Sequence, residues 1–226
     1  MVTTLLICAM DEEIEILREK LGLMPCPGKS PWPLWQNEEL DLLATVCGVG
    51  KVNAAACLSF VLSNRSIARV IGVGVAGGIK RSLAIGDIVI SQDAVQHDFD
   101  VHIFGYEKGT IPRLGIREFP AHPHLIAAAL GHAEEMDVNA VPGRVLSGDR
   151  FISGGEGRAL REEFQGTCVD METAAWAQVA YLYSVPWVAI RSISDKADES
   201  ATADFPEFLR LAVTRMSELV GRMLGS

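Results

Sequence analysis

Residues 69–91 read RVIGVGVAGGIKRSLAIGDIVIS, and the order of features in this stretch decides the fold. Arg69–Val75 is dominated by Val and Ile and predicts a buried strand. Gly72, Gly74 and Gly77 then spell G-x-G-x-x-G. In a dinucleotide-binding fold that motif opens a helix whose N-terminus meets the pyrophosphate. Here Gly78 to Ser82 leads instead to Gly86-Asp87 and a second predicted strand, Ile85–Gln92. The missing helix weighs against an NAD-dependent oxidoreductase. The glycines are better read as room for close backbone approach at the strand's C-terminal end.

Working outward, strands and helices alternate, the pattern of an α/β fold. Thr4–Ala9 is a short apolar run and predicts a buried strand. Asp11–Leu21 predicts a helix with acids in its first turn, Ile14, Leu17 and Leu21 on one face, and Gly22 as its stop. Met24–Pro33 holds four prolines and predicts a loop. Leu34–Cys47 reads as a hairpin turning at Asn37–Glu39, and Val52–Leu62 as a helix of small residues. His124–Met136, Glu156–Phe164 and Asp170–Tyr183 read as helices. Arg144–Ser147, Thr167–Val169 and Trp187–Ile193 read as strands. Pro206, placed at a first helical turn, opens a final helix to Met223. Val101–Glu118 mixes Gly, Pro and aromatics without period and predicts a long loop, a kind of segment that is often functional.

The chain has 226 residues, 49% hydrophobic and 22% charged, and no repeat or linker divides it, so one domain is expected. Lys and Arg number 20 against 29 Asp and Glu, a net charge of −9. An acidic balance argues against nucleic acid and anionic membrane as partners. The longest apolar stretch, Val70–Ile79, is ten residues with four glycines, far short of a membrane span. Met1–Met10 carries no basic segment and runs into Asp11, Glu12 and Glu13, so no secretory leader is expected. The cysteines, Cys8, Cys26, Cys47, Cys57 and Cys168, are odd in number and lack C-x-x-C spacing. Reduced core thiols in a cytoplasmic protein are expected.

Three acids lie just past predicted strand ends: Glu13, Glu172 and Asp195. Open α/β sheets bind ligands at such ends. Glu13 and Glu172 also suit a helix's first turn, where the dipole favours acids, and Asp195 could cap Ser194-Asp195-Lys196. The shared strand-end position favours a common carboxylate site, suited to cleaving a glycosidic bond with one acid protonating the leaving group and another activating water. Phe151 follows a strand, where it could stack on a base or simply fill the core. Gly48-Val-Gly-Lys51 precedes a helix without Walker spacing and could wall a pocket. His97, His102, His122, His124 and His132 show no metal spacing. Phe104, Tyr106 and Pro112 are more apolar than a solvated loop requires, which predicts a lid or an interface.

In order along the chain, Ala-Met-Asp-Glu-Glu (9–13), Gly-Val-Gly-Lys-Val (48–52), Ala-Gly-Gly (76–78), Gly-Asp-Ile-Val-Ile-Ser (86–91) and His-Asp-Phe-Asp-Val (97–101) are followed by Phe-Gly-Tyr-Glu (104–107), Ser-Gly-Asp-Arg-Phe-Ile (147–152), Asp-Met-Glu (170–172) and Ser-Asp-Lys-Ala-Asp (194–198). Together they resemble the 5′-methylthioadenosine/S-adenosylhomocysteine nucleosidases of the nucleoside phosphorylase superfamily, over nearly the whole chain. The resemblance implies a single domain over 1–226, a three-layer α/β/α sandwich around a central mixed β-sheet. It implies hydrolysis of the nucleoside's N-glycosidic bond in methionine salvage and nucleoside catabolism. The implied roles are Glu13 as general base, Asp195 as proton donor to the purine beside Ser194, and Glu172 as holder of the ribose hydroxyls. Met171 would pack on the ribose, Phe151 stack on adenine, and the Ile152 backbone read its edge. Met10, Val49 and Phe205 would wall the ribose and thioether. Phe104, Tyr106 and Pro112 would reach the alkylthio tail of a twofold partner, so a homodimer with loop 101–118 at its interface is expected. No metal or organic cofactor is expected.

Two positions depart from the family. Val75 replaces a small hydroxyl residue, removing a polar contact near the ribose or water, and Asp170 replaces the more usual Glu. Where phosphorylase relatives bind phosphate with arginines and a serine, this chain offers Glu12, Glu13, Gly72 and Val75, so hydrolysis is expected over phosphorolysis. The alternatives are hydrolysis of aminodeoxyfutalosine or another purine nucleoside, a purine nucleoside phosphorylase, and a catalytically silent nucleoside sensor. The sensor would be favoured had any of the three acids been missing.

Overall fold

The computed structural model describes residues 3–136 and 138–225. In chain order the elements are β1 (Thr3–Cys8), α1 (Asp11–Lys20), β2 (Met24–Pro25), β3 (Leu34–Asn37), β4 (Leu42–Val46), α2 (Lys51–Asn64), β5 (Ile67–Gly78), β6 (Ile88–Gln96), β7 (Phe119–Pro120), α3 (Pro123–Glu134), β8 (Ala140–Ser147), α4 (Glu156–Phe164), β9 (Cys168–Asp170), α5 (Thr173–Leu182), β10 (Trp187–Asp195) and α6 (Ala201–Leu224).

The strands form one mixed ten-stranded sheet in the order β10-β6-β8-β9-β5-β1-β4-β3-β2, with β7 on β6. β10 also pairs with β5, so β10, β6, β8, β9 and β5 close into a ring. β5 is the common member of ring and open sheet: it runs parallel to β1 and to β10, and antiparallel to β9. The β9 pairing is short, Gly77 to Val169 and Gly78 to Cys168, and it brings the residues after β9 back to the glycines of β5.

Burial explains the strand sequences. Leu5, Leu6 and Ile7 of β1 and Val188, Ala189 and Ile190 of β10 are fully buried, as expected of strands covered on both faces. Each large aliphatic side chain so buried contributes roughly 1.5–3 kcal/mol. α1 and α3 pack on α6, while α2 packs on α5. The thiols are free, with Cys8, Cys47, Cys57 and Cys168 buried and Cys26 half-buried.

The boundaries depart from expectation in places, each with a local cause. β5 extends to Gly78, so Gly77 and Gly78 also lie inside the strand rather than after it. β6 starts at Ile88, because Asp87 Oδ2 accepts the Ala84 N–H at 2.8 Å and closes a turn around Gly86, whose φ is +85°. The Met24–Pro33 segment contributes the two-residue strand β2, where proline is tolerated because β2 is an edge. α5 starts at Thr173, since Asp170 ends β9 and Glu172 is the N-cap. α6 starts at Ala201, five residues before Pro206. The Thr202 carbonyl that Pro206 cannot engage belongs to an exposed residue, so water can satisfy it. The segment 101–118 is irregular apart from a 3₁₀ turn at His102–Phe104 and a single bridge between Ile111 and Ile116.

Gly72 faces the Trp176 ring, where an added Cβ would lie 2.9 Å from an indole carbon. Trp176 is itself buried, with 1% of its surface exposed. Gly72→Ala is expected to lower stability by about 1–3 kcal/mol, the usual cost of overpacking a core. Urea unfolding checks this: the midpoint should fall with an unchanged m-value, and a midpoint equal to wild type would show that the indole yields freely.

Candidate active site

A cavity of about 270 Å³ opens where the chain leaves β1, β5, β8, β9 and β10. Its walls hold Glu13, Glu172 and Asp195 together with Met10, Val49, Val75, Phe151, Ile152, Met171, Ser194 and Phe205. The strand-end carboxylates therefore meet at one site.

Glu13 sits in the first turn of α1 and is 2% exposed. Its Oε2 accepts the N–H groups of Ala9 (2.9 Å) and Met10 (3.0 Å), and its Oε1 accepts that of Val75 (3.0 Å). Burial pushes its carboxyl above the ordinary range, against the opposing pull of Arg191 and the three N–H groups. Val75 thus serves Glu13 through its backbone while its side chain lines the cavity.

Glu172, the N-cap of α5, accepts the Gly50 N–H at 2.9 Å through Oε1. Burial, reinforced by the Asp170 charge, pushes its carboxyl up to about 8, even with Arg191 and Gly50 pulling the other way. Asp195 ends β10 and is 2% exposed. It accepts the Ala197 N–H at 2.8 Å and the Ser194 hydroxyl at 2.9 Å. Burial raises its carboxyl above the ordinary range, with smaller upward contributions from Asp204 and Asp198.

Beneath these acids lies Arg191 of β10, with no exposed surface. Its Nη2 is 2.7 Å from Asp170 Oδ2 and 3.9 Å from Glu172 Oε2. Nε and Nη2 donate to Thr173 Oγ1, Nη1 donates to the Val73 carbonyl, and the guanidinium lies 4.9 Å from the Trp176 ring centroid. Asp170 is held in turn by the hydroxyls of Ser147 and Thr173. The shorter acid at 170 therefore reaches its partners. Gly74 makes the arrangement possible: at φ +155°, a Cβ there would overlap both Arg191 Nη1 and Glu13 Oε1.

The apolar half of the cavity is built from Met10, Val49, Met171 and Phe205. Phe151 meets Phe205 edge to face, with centroids 5.8 Å apart, and is 46% exposed. A flat heterocycle entering between Phe151 and the β10 end would find an aromatic face on one side and Asp195 on the other.

Phe104, Tyr106 and Pro112 are not among the cavity's residues, and Phe104 is 73% exposed. Glu12 is exposed, and Gly72 is buried against Trp176, so neither reaches the cavity, contrary to their place in the phosphate comparison. Arg191 was missed by sequence reasoning, although a lone charge inside the apolar run Trp187–Ser194 was its signal. The Gly50 N–H was missed because a backbone donor leaves no mark in composition. Among the described residues no three His, Cys, Asp or Glu side chains are grouped as a metal site, and no helix is long and apolar enough to cross a membrane.

The chain matches the phosphorylase superfamily over residues 3–225. It is 39% identical over 227 residues to the 5′-methylthioadenosine/S-adenosylhomocysteine nucleosidase of Haemophilus ducreyi, covering 98% of this chain and 97% of that one. Its structure matches that of the Neisseria meningitidis nucleosidase of the same name, in complex with methylthio-immucillin-A, with a TM-score of 0.92 and 34% identity over 99% of this chain and 98% of that one. A futalosine hydrolase of Helicobacter pylori matches with a TM-score of 0.92 and 27% identity over 98% and 97% of the two chains. The fold places the chain among the nucleoside-cleaving enzymes of the phosphorylase superfamily. Within that superfamily the chain belongs to the 5′-methylthioadenosine/S-adenosylhomocysteine nucleosidase family.

The raised carboxyl of Glu172 has a consequence for stability. A group whose pKa is higher folded than unfolded binds more protons in the native state, so stability is lost as pH rises from the unfolded value, about 4.3, to the folded one. Glu172→Gln keeps the shape and removes the titration. Its melting temperature should exceed that of wild type, by more at pH 8 than at pH 5 and by at least about 2–4 °C, the shift expected per kcal/mol at this size. Calorimetry at the two pH values checks it; equal differences at both would show that Glu172 is ionised throughout.

Proposed function

We propose that the chain hydrolyses the N-glycosidic bond of 5′-methylthioadenosine and of S-adenosylhomocysteine, releasing adenine and the corresponding thioribose. The observation that carries this reading is the convergence of Glu13, Glu172 and Asp195, each with a different set of partners, on one largely apolar cavity.

Bond cleavage passes through an oxocarbenium-like state, so the site must draw electrons into the purine and support cation on the sugar. Asp195, raised by burial, is the proton donor to the imidazole nitrogen of adenine. Phe151 stacks on the base and the Ile152 backbone reads its edge. Glu172 accepts from the ribose hydroxyls, with Met171 packed on the sugar and Met10, Val49 and Phe205 around the thioether. Glu13, held by three N–H groups, takes a proton from the attacking water; the hydroxyl joins the anomeric carbon and adenine leaves neutral. Arg191 offers no free donor pair to a phosphate dianion, being engaged by Asp170, Thr173 and Val73, and Arg150 at the rim is paired with Glu156. Water is therefore the acceptor.

The same reading treats residues 1–226 as one domain, a three-layer sandwich with α1, α3 and α6 on one side of the sheet and α2 and α5 on the other, supported by the packing of those two helix groups. It pairs two copies, so that Phe104, Tyr106 and Pro112 cover the partner's alkylthio tail. The exposure of Ile103, Phe104, Tyr181 and Leu182 supports that pairing. A cytoplasmic place in methionine salvage follows from the substrate.

Adenine release from a nucleoside panel tests the reaction. Turnover of methylthioadenosine should be unchanged by added phosphate and yield free methylthioribose, and appearance of a ribose-1-phosphate product would overturn it. Preference for aminodeoxyfutalosine in the same panel would reassign the substrate and leave the chemistry intact.

Asp195→Asn should bind methylthioadenosine about as well as wild type while kcat falls at least roughly 10²-fold, the low end for a lost general acid. A nitrophenyl riboside, whose leaving group needs no proton, should lose far less rate. Equal losses on the two substrates would make Asp195 a structural residue.

A further inference from the structure

Three motifs flank the cavity, and each contributes a charged residue that the proposed chemistry leaves without a role: Lys51 after Gly48-Val-Gly, Asp98 after His97, and Asp149 after Ser147-Gly. The structure brings the three together. Lys51 Nζ lies 2.5 Å from Asp98 Oδ1 and 4.0 Å from Asp149 Oδ2, and it donates to Gln96 Oε1 at 3.2 Å. The Lys51 N–H donates to Asp149 Oδ1 at 2.8 Å, and the Asp149 N–H donates to Asp98 Oδ2 at 3.0 Å. Gln96 completes the cluster by donating to Gln178 of α5 at 2.6 Å. The chain segments following β4, β6 and β8 are thus tied to one another and to the helix that Glu172 caps.

What this knot places is the peptide just before it. Gly50, adjacent to Lys51, directs its N–H to Glu172 Oε1 at 2.9 Å. Gly50 has φ +96°, and a Cβ there would come within 3.2 Å of Asp149 Oδ1, so the residue is both conformationally special and tightly walled. Lys51 keeps only 16% of its side chain exposed. Burial alone would raise the Asp98 carboxyl; the Lys51 ammonium and the Asp149 N–H outweigh it and hold it below its ordinary value, so Asp98 is an anion at the working pH.

We infer that Lys51, clasped by Asp98 and Asp149, is a positioning residue that aims the Gly50 N–H at Glu172 and thereby sets how the cavity grips the ribose hydroxyls. The inference rests on the reading of Glu172 as the ribose-binding acid. Without the clasp, the 48–51 turn loses its anchor and one Glu172 oxygen loses the Gly50 donor. The cost falls on hydroxyl recognition and not on the departure of the base.

The test compares Lys51→Met and Asp98→Asn with wild type on two substrates, methylthioadenosine and its 2′,3′-dideoxy analogue, which has no hydroxyls for Glu172 to hold. On methylthioadenosine, KM should rise about tenfold in both variants, the size of one lost buried hydrogen bond, with kcat falling less. On the dideoxy analogue, kcat/KM should be unchanged. The double variant should be no worse than either single one, as for residues acting as one unit. Lys51→Arg should restore the wild-type KM. Equal losses on both substrates, or a wild-type KM in Lys51→Met and Asp98→Asn, would overturn the inference. A wild-type enzyme that releases no adenine from any nucleoside would instead overturn the function on which it rests.

Discussion

A single guanidinium, fully withdrawn from water, sits among three carboxylates, and the architecture of the cavity follows from accommodating it. Arg191 contacts Asp170 most closely, stands 3.9 Å from Glu172, and approaches Glu13 across the gap left by Gly74. Burial works against its charge, but Asp170, Glu13 and Glu172 outweigh that and keep it cationic. Removing one partner of such a buried pair is far costlier than the pair itself is favourable, because it strands a charge in a medium that solvates it poorly. One cation cannot balance three anions. Burial raises the carboxyls of Glu13 and Glu172, with the Asp170 charge adding to the rise at Glu172, and the protein holds both in place with backbone N–H groups.

The donors explain how the acids come to differ. Glu13 collects three N–H groups, Glu172 one, and Asp195 one N–H and one hydroxyl. A carboxylate with many donors is stabilised as an anion, and one with few is biased toward its acid form. Glu13 therefore suits the proposed base, and Asp195, buried with fewer donors and near Asp198 and Asp204, suits the proposed acid. Both side chains are almost wholly covered and both carboxyls are raised by burial, so what distinguishes the two is the number of donors that hold them.

The alternation of strands and helices was legible because apolar runs and the 3.6-residue period report burial directly. Helix α4 was placed to the residue, and β1, α1 and α3 to within two residues. Boundaries failed where a local device overrode the pattern: the Asp87 turn that delays β6, and the exposed carbonyl at Thr202 that lets α6 run through Pro206. The acids were legible because strand ends are where α/β sheets present side chains to a ligand. Arg191 was not, since a charge inside an apolar strand gives no hint of which partners a distant β9 and α5 will supply. Gly50 was not, because its contribution is an N–H that every residue but proline carries.

Ring closure of the sheet joins these points. Were β10 paired only with β6, the end of β10 and the turn after β9 would project from separate places along an open sheet. Because β10 also pairs with β5, and β9 meets β5 antiparallel at Gly77–Gly78, Asp195 lies directly across from Gly77 while Val169 approaches the same residue from the other side. A side chain at position 77 would have no room, since a Cβ there falls 2.9 Å from Asp195 Oδ1 and 3.1 Å from Val169 Cγ2. The glycines of β5 therefore serve strand convergence. They let three strand ends share one point, so that the Asp195 acid and the Arg191-linked pair of glutamates can face one substrate from two sides. The motif that in another fold would make space for a pyrophosphate makes space here for the protein's own side chains.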